Sequence, residues 1–282
     1  ESIGQYAFYQ CKELVSVEPL LPDSVKFVGV FAFTYAEKLT NDVCLGRANV
    51  VTLEYAPVQS QYADRFGCEA SQFSQCYSIG NVYLGPGVTN VPQNFLCGDI
   101  DFAVLPDAER TVEIVGATVI GDRAFCERTG IKAVTLPDRL ESIGHEAFRR
   151  CTNLVSVTPF LPASLRSLGG YAFCHARALE GDLKILSRKP VDFFAIGSKG
   201  GEDNGSIFSL DAKLSSITLG RGVTVVPEYF CCKDVEAGVL TNVTIYGKLV
   251  SIGKEAFRQQ YALRDFRLNG YPELDATAFN GI

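Results

Sequence analysis

Ten cysteines and two histidines are the side chains here whose types could do covalent or metal chemistry. Thiols form disulfides, ligate zinc or act as nucleophiles, and each use needs its own spacing. Zinc calls for Cys-x-x-Cys pairs or Cys and His at short fixed separations, and neither pattern occurs. Cys68 and Cys76 lie in or beside a long interval with Cys44 near its start, so a disulfide would most readily tie that segment down; the vicinal Cys231-Cys232 is poorly suited to pairing. Cys11, Cys76 and Cys151 follow a Phe by three residues, Cys97 and Cys232 by two, and Cys126, Cys174 and Cys231 by one. That phase predicts a buried column of free thiols acting as small hydrophobes with a weak donor.

The other candidates for chemistry dissolve in the same way. His145 and His175 each lie beside an Ala-Phe pair, so a Ser-His-Asp or Cys-His arrangement would have to be assembled from repeated positions. They read as surface or turn histidines. Gly85-Pro86-Gly87 and Gly220-Arg221-Gly222 imitate pieces of a phosphate loop but share one repeat phase and precede no helical pattern, which makes them turns. Gly197-Ser198-Lys199-Gly200-Gly201 lacks the Walker spacing and reads as a loop tip. Asp99, Asp101, Glu141 and Glu146 form no recognisable pair, although glycosidase carboxylates can lie far apart in sequence. Asn204-Gly205-Ser206 and Asn242-Val243-Thr244 fit the glycan acceptor pattern, and only Asn204 falls in an expected exposed loop. No catalytic residue, metal ligand or cofactor is assigned, and no enzyme is expected.

What positions these residues is a repeat. The phrase Ile-Gly-x-x-Ala-Phe-x-x-Cys-x-x-Leu-x-x-Val runs from Ile3 to Val17 and again from Ile143 to Val157, an offset of about 140 residues. Leu84 to Pro92 likewise matches Leu219 to Pro227. Phe8, Phe33, Phe73, Phe95, Phe125, Phe148, Phe173, Phe208, Phe230, Phe257 and Phe279 recur mostly about 22 to 30 residues apart. The sequence therefore predicts one domain over residues 1–282 of roughly 11 repeats, in two duplicated blocks (about 1–140 and 141–282), with insertions near 54–72 and 186–207. Glu1-Ser2-Ile3-Gly4 recurs as Glu141-Ser142-Ile143-Gly144, so the chain reads as starting inside a repeat.

Each unit should supply a short strand such as Leu154 to Pro159 or Ile131 to Pro137, with apolar residues inward and Pro ending the pairing. A second extended piece leads into Ile-Gly-x-x-Ala-Phe, where Gly permits a tight bend, Ala a close approach and Phe fills the space between coils. Ser16 and Glu18, Ala133 and Thr135, Ser156 and Thr158, Ser216 and Thr218, Asn242 and Thr244, and Asp265 and Arg267 should point outward. Tyr83 and Arg267 are the residues of hot-spot type on that face. The insertions carry Tyr55, Tyr62, Arg65 and Phe66, and then Arg188, Lys189, Phe193, Phe194 and Lys199. Long loops on a rigid scaffold often bear specificity, and the competing expectation is that these aromatics pack back onto the convex side.

These residues resemble the BspA-like, or treponemal-type, leucine-rich-repeat family over nearly the whole chain. The departures are Val91-Pro92-Gln93-Asn94-Phe95, Val226-Pro227-Glu228-Tyr229-Phe230 and the two insertions. The resemblance implies a leucine-rich-repeat solenoid of short parallel β-strands with a mostly irregular, short-helical or extended convex side. It also implies a surface or secreted module that adheres to host or neighbouring cells, with protein, host or extracellular matrix, or glycan as partner. A formal charge of −6 without a basic run argues against nucleic acid, and no stretch is apolar enough to span a bilayer. An intracellular scaffold in the cytoplasm, and a repeat region accessory to an enzyme domain elsewhere, stand as alternatives.

Overall fold

A computed structural model describes residues 1–54, 71–98, 109–194, 207–208, 213–232 and 239–281. These wind into a parallel β-solenoid of about nine turns, with no helix among the described residues. Strands are numbered in chain order, and they fall into two columns. The short column holds β1 (Ser2–Ile3), β2 (Phe27–Val28) and β4 (Thr52–Leu53), then β6 (Asn90–Val91), β8 (Val119–Ile120), β10 (Ser142–Ile143), β12 (Ser167–Gly169) and β14 (Asp192–Phe194), then β16 (Val225–Val226), β18 (Ser251–Ile252) and β20 (Glu273–Leu274). The long column holds β3 (Val43–Leu45), β5 (Val82–Leu84), β7 (Arg110–Ile114), β9 (Ile131–Thr135) and β11 (Ser156–Thr158), followed by β13 (Glu180–Ile185), β15 (Lys213–Leu219), β17 (Asn242–Lys248) and β19 (Asp265–Asn269). β-Branched residues alternate inward along the long strands, burying Val82, Val112, Val134, Val157, Ile217 and Val243.

The third side is the Ala-Phe corner, and its backbone is a ladder of a different kind. In the turn of Phe148, the N–H groups of Glu146, Phe148 and Arg150 donate to the carbonyls of Gly170, Ala172 and Cys174 in the next turn at 2.8–3.0 Å. The residues two before and two after the anchor take left-handed backbone: Glu146 and Arg150, Arg123 and Glu127, Tyr171 and His175, all at φ between 54° and 62°. Such a conformation is unfavourable for each non-Gly residue, and the inter-turn hydrogen bonds hold it in place.

The glycines of this phrase do something other than expected. Gly121, Gly169 and Gly253 do not adopt positive φ; a Cβ on them would lie 2.4–2.7 Å from the backbone N of Gln93, His145 and Glu228 in the preceding turn. Glycine therefore serves close approach of coils rather than the bend, and the bend falls to charged and aromatic residues.

The ladder also corrects the register of two anchors. Phe73 N donates to Phe95 O, and Leu96 N to Ala124 O, so Leu96 stands in the anchor position and Phe95 in the Ala position. The same holds where Phe208 N meets Phe230 O and Cys231 N meets Ala256 O. Ala-Phe has become Phe-Leu and Phe-Cys, a swap that keeps one ring between coils but brings it in from the neighbouring position. Ring geometry records it: Phe125, Phe148, Phe173 and Phe208 stack within 4–10° of parallel, whereas Phe95 and Phe230 meet their neighbours edge-on at 72–78°. In this register Cys97, Cys126, Cys174 and Cys232 form one column just after the anchor and Cys11, Cys76 and Cys151 another three residues after it. Cys231 is itself an anchor.

Candidate binding surfaces

The long strand column places outward side chains in rows. Cys44, Tyr83, Glu113, Thr135 and Thr158 are register neighbours on successive strands, and Lys184, Thr218, Thr244 and Arg267 form the corresponding row on β13 to β19. A second row runs Thr111, Ala133, Ser156, and another Asp182, Ser216, Asn242, Asp265. At the usual strand spacing the five-residue row extends about 19 Å. The rows are polar and mostly short.

The larger side chains on this face are partly committed. Tyr83 is half-buried, with the Arg47 guanidinium 5.1 Å above its ring. Arg267 is exposed but grips Asp265 of its own strand at 2.6 and 3.0 Å. Tyr246, two residues beyond Thr244 on the same strand, is 58% exposed. The outward residues expected on this strand stop at Asn242 and Thr244; the alternation Thr244-Ile245-Tyr246 was the available signal for a third. The Asp182 carboxylate accepts from Ser216 and Ser215 of the next turn at 2.7 and 2.9 Å, which holds it below the usual carboxyl range. Asp42, 140 residues earlier in the chain, also accepts a hydrogen bond from the next turn, from Asn81 N at 2.7 Å. Beside it an open cleft of about 490 Å³, lined by Ser16, Glu18, Asn41, Asp42 and Cys44 among others, lies on the same face.

The corner opposite carries charge. Glu146 sits among Arg123 (3.3 Å), His145 (3.4 Å) and Arg149 (3.4 Å), and Arg149 also lies over the Tyr171 ring at 5.6 Å. Burial opposes ionisation of Glu146, but the hydrogen bond with His145 and the charges of Arg149 and Arg123 prevail and hold its carboxyl low. His145 thus lies against the Glu146 carboxylate and edge-on to the Tyr171 ring at 5.3 Å. Among the described residues no group of three His, Cys, Asp or Glu side chains could hold a metal.

Of the insertion residues, Arg188 and Lys189 are exposed, while Phe193 on β14 is half-buried and edge-on to Phe230 at 5.7 Å. Phe194 ends β14. Tyr55, Tyr62, Arg65, Phe66, Cys68, Asp99, Asp101, Lys199 and Asn204 lie outside the described residues. The expected sites are therefore not brought into one cluster: Tyr83 and Arg267 stand on the long face, Phe193 in the packing beneath the short column.

The family model for the BspA type leucine rich repeat region matches residues 1–52, 118–185 and 202–282 in six copies. The chain belongs to this BspA-type leucine-rich-repeat family. Its solved relatives in shape include the pneumococcal vaccine antigen PcpA (17% identity, TM-score 0.48, 88% of this chain and 62% of that one). Two others are a leucine rich cell surface protein of Faecalibacterium prausnitzii (18%, 0.39, 96% and 77%) and a leucine-rich repeat protein of Bacteroides ovatus (20%, 0.41, 99% and 79%). Comparison with curated proteins gave no match. Among the described residues no helix is long and apolar enough to cross a membrane.

Proposed function

We propose that this BspA-type chain is a non-catalytic recognition module, displayed at the cell surface, that binds a protein partner along its long strand face. The carrying observation is the pair of in-register rows, Cys44 to Thr158 and Lys184 to Arg267, which repeat short polar groups at strand spacing over successive turns. Such a surface can contact an extended partner at many weak points, with Tyr83, Tyr246 and Arg267 as its larger contacts. The solenoid holds these groups on a scaffold whose interior is continuous, so the face is ordered before a partner arrives.

The insertions add to this reading. Exposed Arg188 and Lys189 flank the short column, and Tyr62, Arg65, Phe66 and Phe194 complete the set of residues we assign to specificity, with Phe193 supporting from beneath. The recurrence of Asp42 as Asp182 and of Phe95 as Phe230 supports two duplicated blocks within one domain of residues 1–282.

The test is a binding screen of the purified chain against immobilised extracellular-matrix proteins, whole host-type cells and a glycan array. A saturable protein hit supports the proposal. Binding confined to glycans replaces the partner class, and silence across the panel favours a spacer or intracellular scaffold.

A further inference from the structure

Arg128 is an unexpected occupant of the solenoid interior. It stands three residues after Phe125, where other turns carry Cys76 and Cys151, and it is 6% exposed. Its Nε donates to Leu96 O, Nη1 to Cys76 O at 2.8 Å and Nη2 to Phe73 O at 3.4 Å. Arg110, at the start of β7 and half-buried, approaches from the strand side: Nη1 donates to Tyr77 O at 2.8 Å, and Nε is enclosed with no acceptor among the described residues. Both arginines line one small void of about 10 Å³, walled by Leu96, Val82, Val112 and Ile131.

Two guanidinium groups, Arg128 buried and Arg110 half-buried, thus meet at one mostly apolar void with no carboxylate among its described lining residues. The acids beside them in sequence are engaged elsewhere, Glu109 by Lys132 and Glu127 by Arg150 at 3.5 Å. Burial lowers the pKa of both arginines, and for Arg128 the positive charge of Arg110 acts in the same direction. Arginine does not shed its proton in proteins, so a counter-charge at the void would favour both groups. Carbonyl dipoles serve Arg128, but no described residue accepts from the Arg110 Nε–H.

We propose that one monoatomic anion, chloride in ordinary media, binds between Arg110 and Arg128 and accepts from Arg110 Nε. A halide needs no directed lone pairs and is only somewhat larger than the one water that the void can hold; a tetrahedral oxyanion is too large for it. The site would tie β7 to the corner of the Phe73 and Leu96 turns.

The experiment is thermal unfolding in sodium chloride against sodium gluconate at matched ionic strength, with anomalous diffraction from crystals soaked in bromide. Expected are a bromide peak beside Arg110 Nε and a Tm that rises by a few degrees per tenfold increase in chloride above the gluconate series. Arg110→Met should remove the chloride-specific rise; should that variant fail to fold, Arg110→Lys, which keeps the charge but not the Nε–H geometry, should weaken it. Absence of the bromide peak, or identical Tm in the two salts, overturns the proposal and leaves the void to water.

Discussion

The Cys151 thiol donates to the carbonyl oxygen of Phe125 in the preceding turn, 3.1 Å away. Cys76 makes the same contact to Phe33 at 2.8 Å, Gln260 to Cys231 at 2.7 Å, and Arg128 Nε reaches Leu96 O. All four donors stand three residues after an anchor and all four acceptors are anchor carbonyls, so Cys, Gln and Arg are interchangeable solutions to one problem. Ala36 and Ala176 occupy that place in two turns and leave the carbonyl to backbone partners alone. Cys151→Ala should therefore fold, at a cost of about 1–2 kcal/mol from the lost weak bond and packing. Chemical denaturation measures it; a loss beyond that range would mean the thiol does more than donate.

Thiol chemistry should follow the same map. Burial pushes the Cys76 thiol up to about 12, and Cys151 is raised likewise, whereas Cys11 is exposed. Titration with a thiol reagent at neutral pH should modify Cys11 quickly and Cys76 and Cys151 only on unfolding. Fast native labelling of either buried residue would contradict the column.

The register swap at Phe95-Leu96 predicts a compensating pair. Phe95→Ala alone removes the one ring between the Phe73 and Phe125 coils and should cost about 3–5 kcal/mol. Adding Leu96→Phe restores the common Ala-Phe order, and the double variant should recover at least half of the loss in a urea titration. A double variant no more stable than the single one would show that the backbone of this turn cannot accept the ordinary register.

Glycine contacts give a direct test. Gly121→Ala drives a Cβ to 2.5 Å from Gln93 N and should cost about 2 kcal/mol or more. An unchanged Tm for Gly121→Ala would refute close coil approach as the role of this glycine.

Glu146 predicts a pH dependence with a definite sign. Its carboxyl is held below the ordinary value of 4.5, so its contribution is fully present above that pH and is lost as the pH falls through the depressed folded value. Glu146→Gln should be less stable than the parent at pH 7, on the order of 1 kcal/mol for a partly buried carboxylate among charges that still reach solvent, and the gap should close in acid. A gap that persists at low pH would assign the effect to packing.

Much of this architecture is legible in the sequence because its signals are side-chain signals: the Phe period, the inward Val and Ile, the small residues beside them. The slip at Phe95 and Phe230 is not, since Phe-Leu-Cys and Phe-Cys-Cys look like ordinary anchors and only the inter-turn ladder separates them. The left-handed corners are hidden for the same reason, because Arg123, Glu146 and Tyr171 are not residues whose type announces positive φ. Arg128 is a surface type in an interior position, and its neighbours in sequence give no hint that three carbonyls await it. The outward rows were readable from alternation alone, but the reach of Tyr246 and the engagement of Arg267 with Asp265 required the strands themselves.

The proposed recognition runs along the long strand face. Its most direct measurement is surface plasmon resonance with the matrix or cell-surface protein retained in the screen, comparing the parent with Thr135→Glu/Thr158→Glu on that face and Arg123→Ala on the charged corner. Loss of binding by at least tenfold in the first variant, with little change in the second and unaltered unfolding of the first, is the predicted result. Undiminished binding by the Thr135→Glu/Thr158→Glu variant would contradict it.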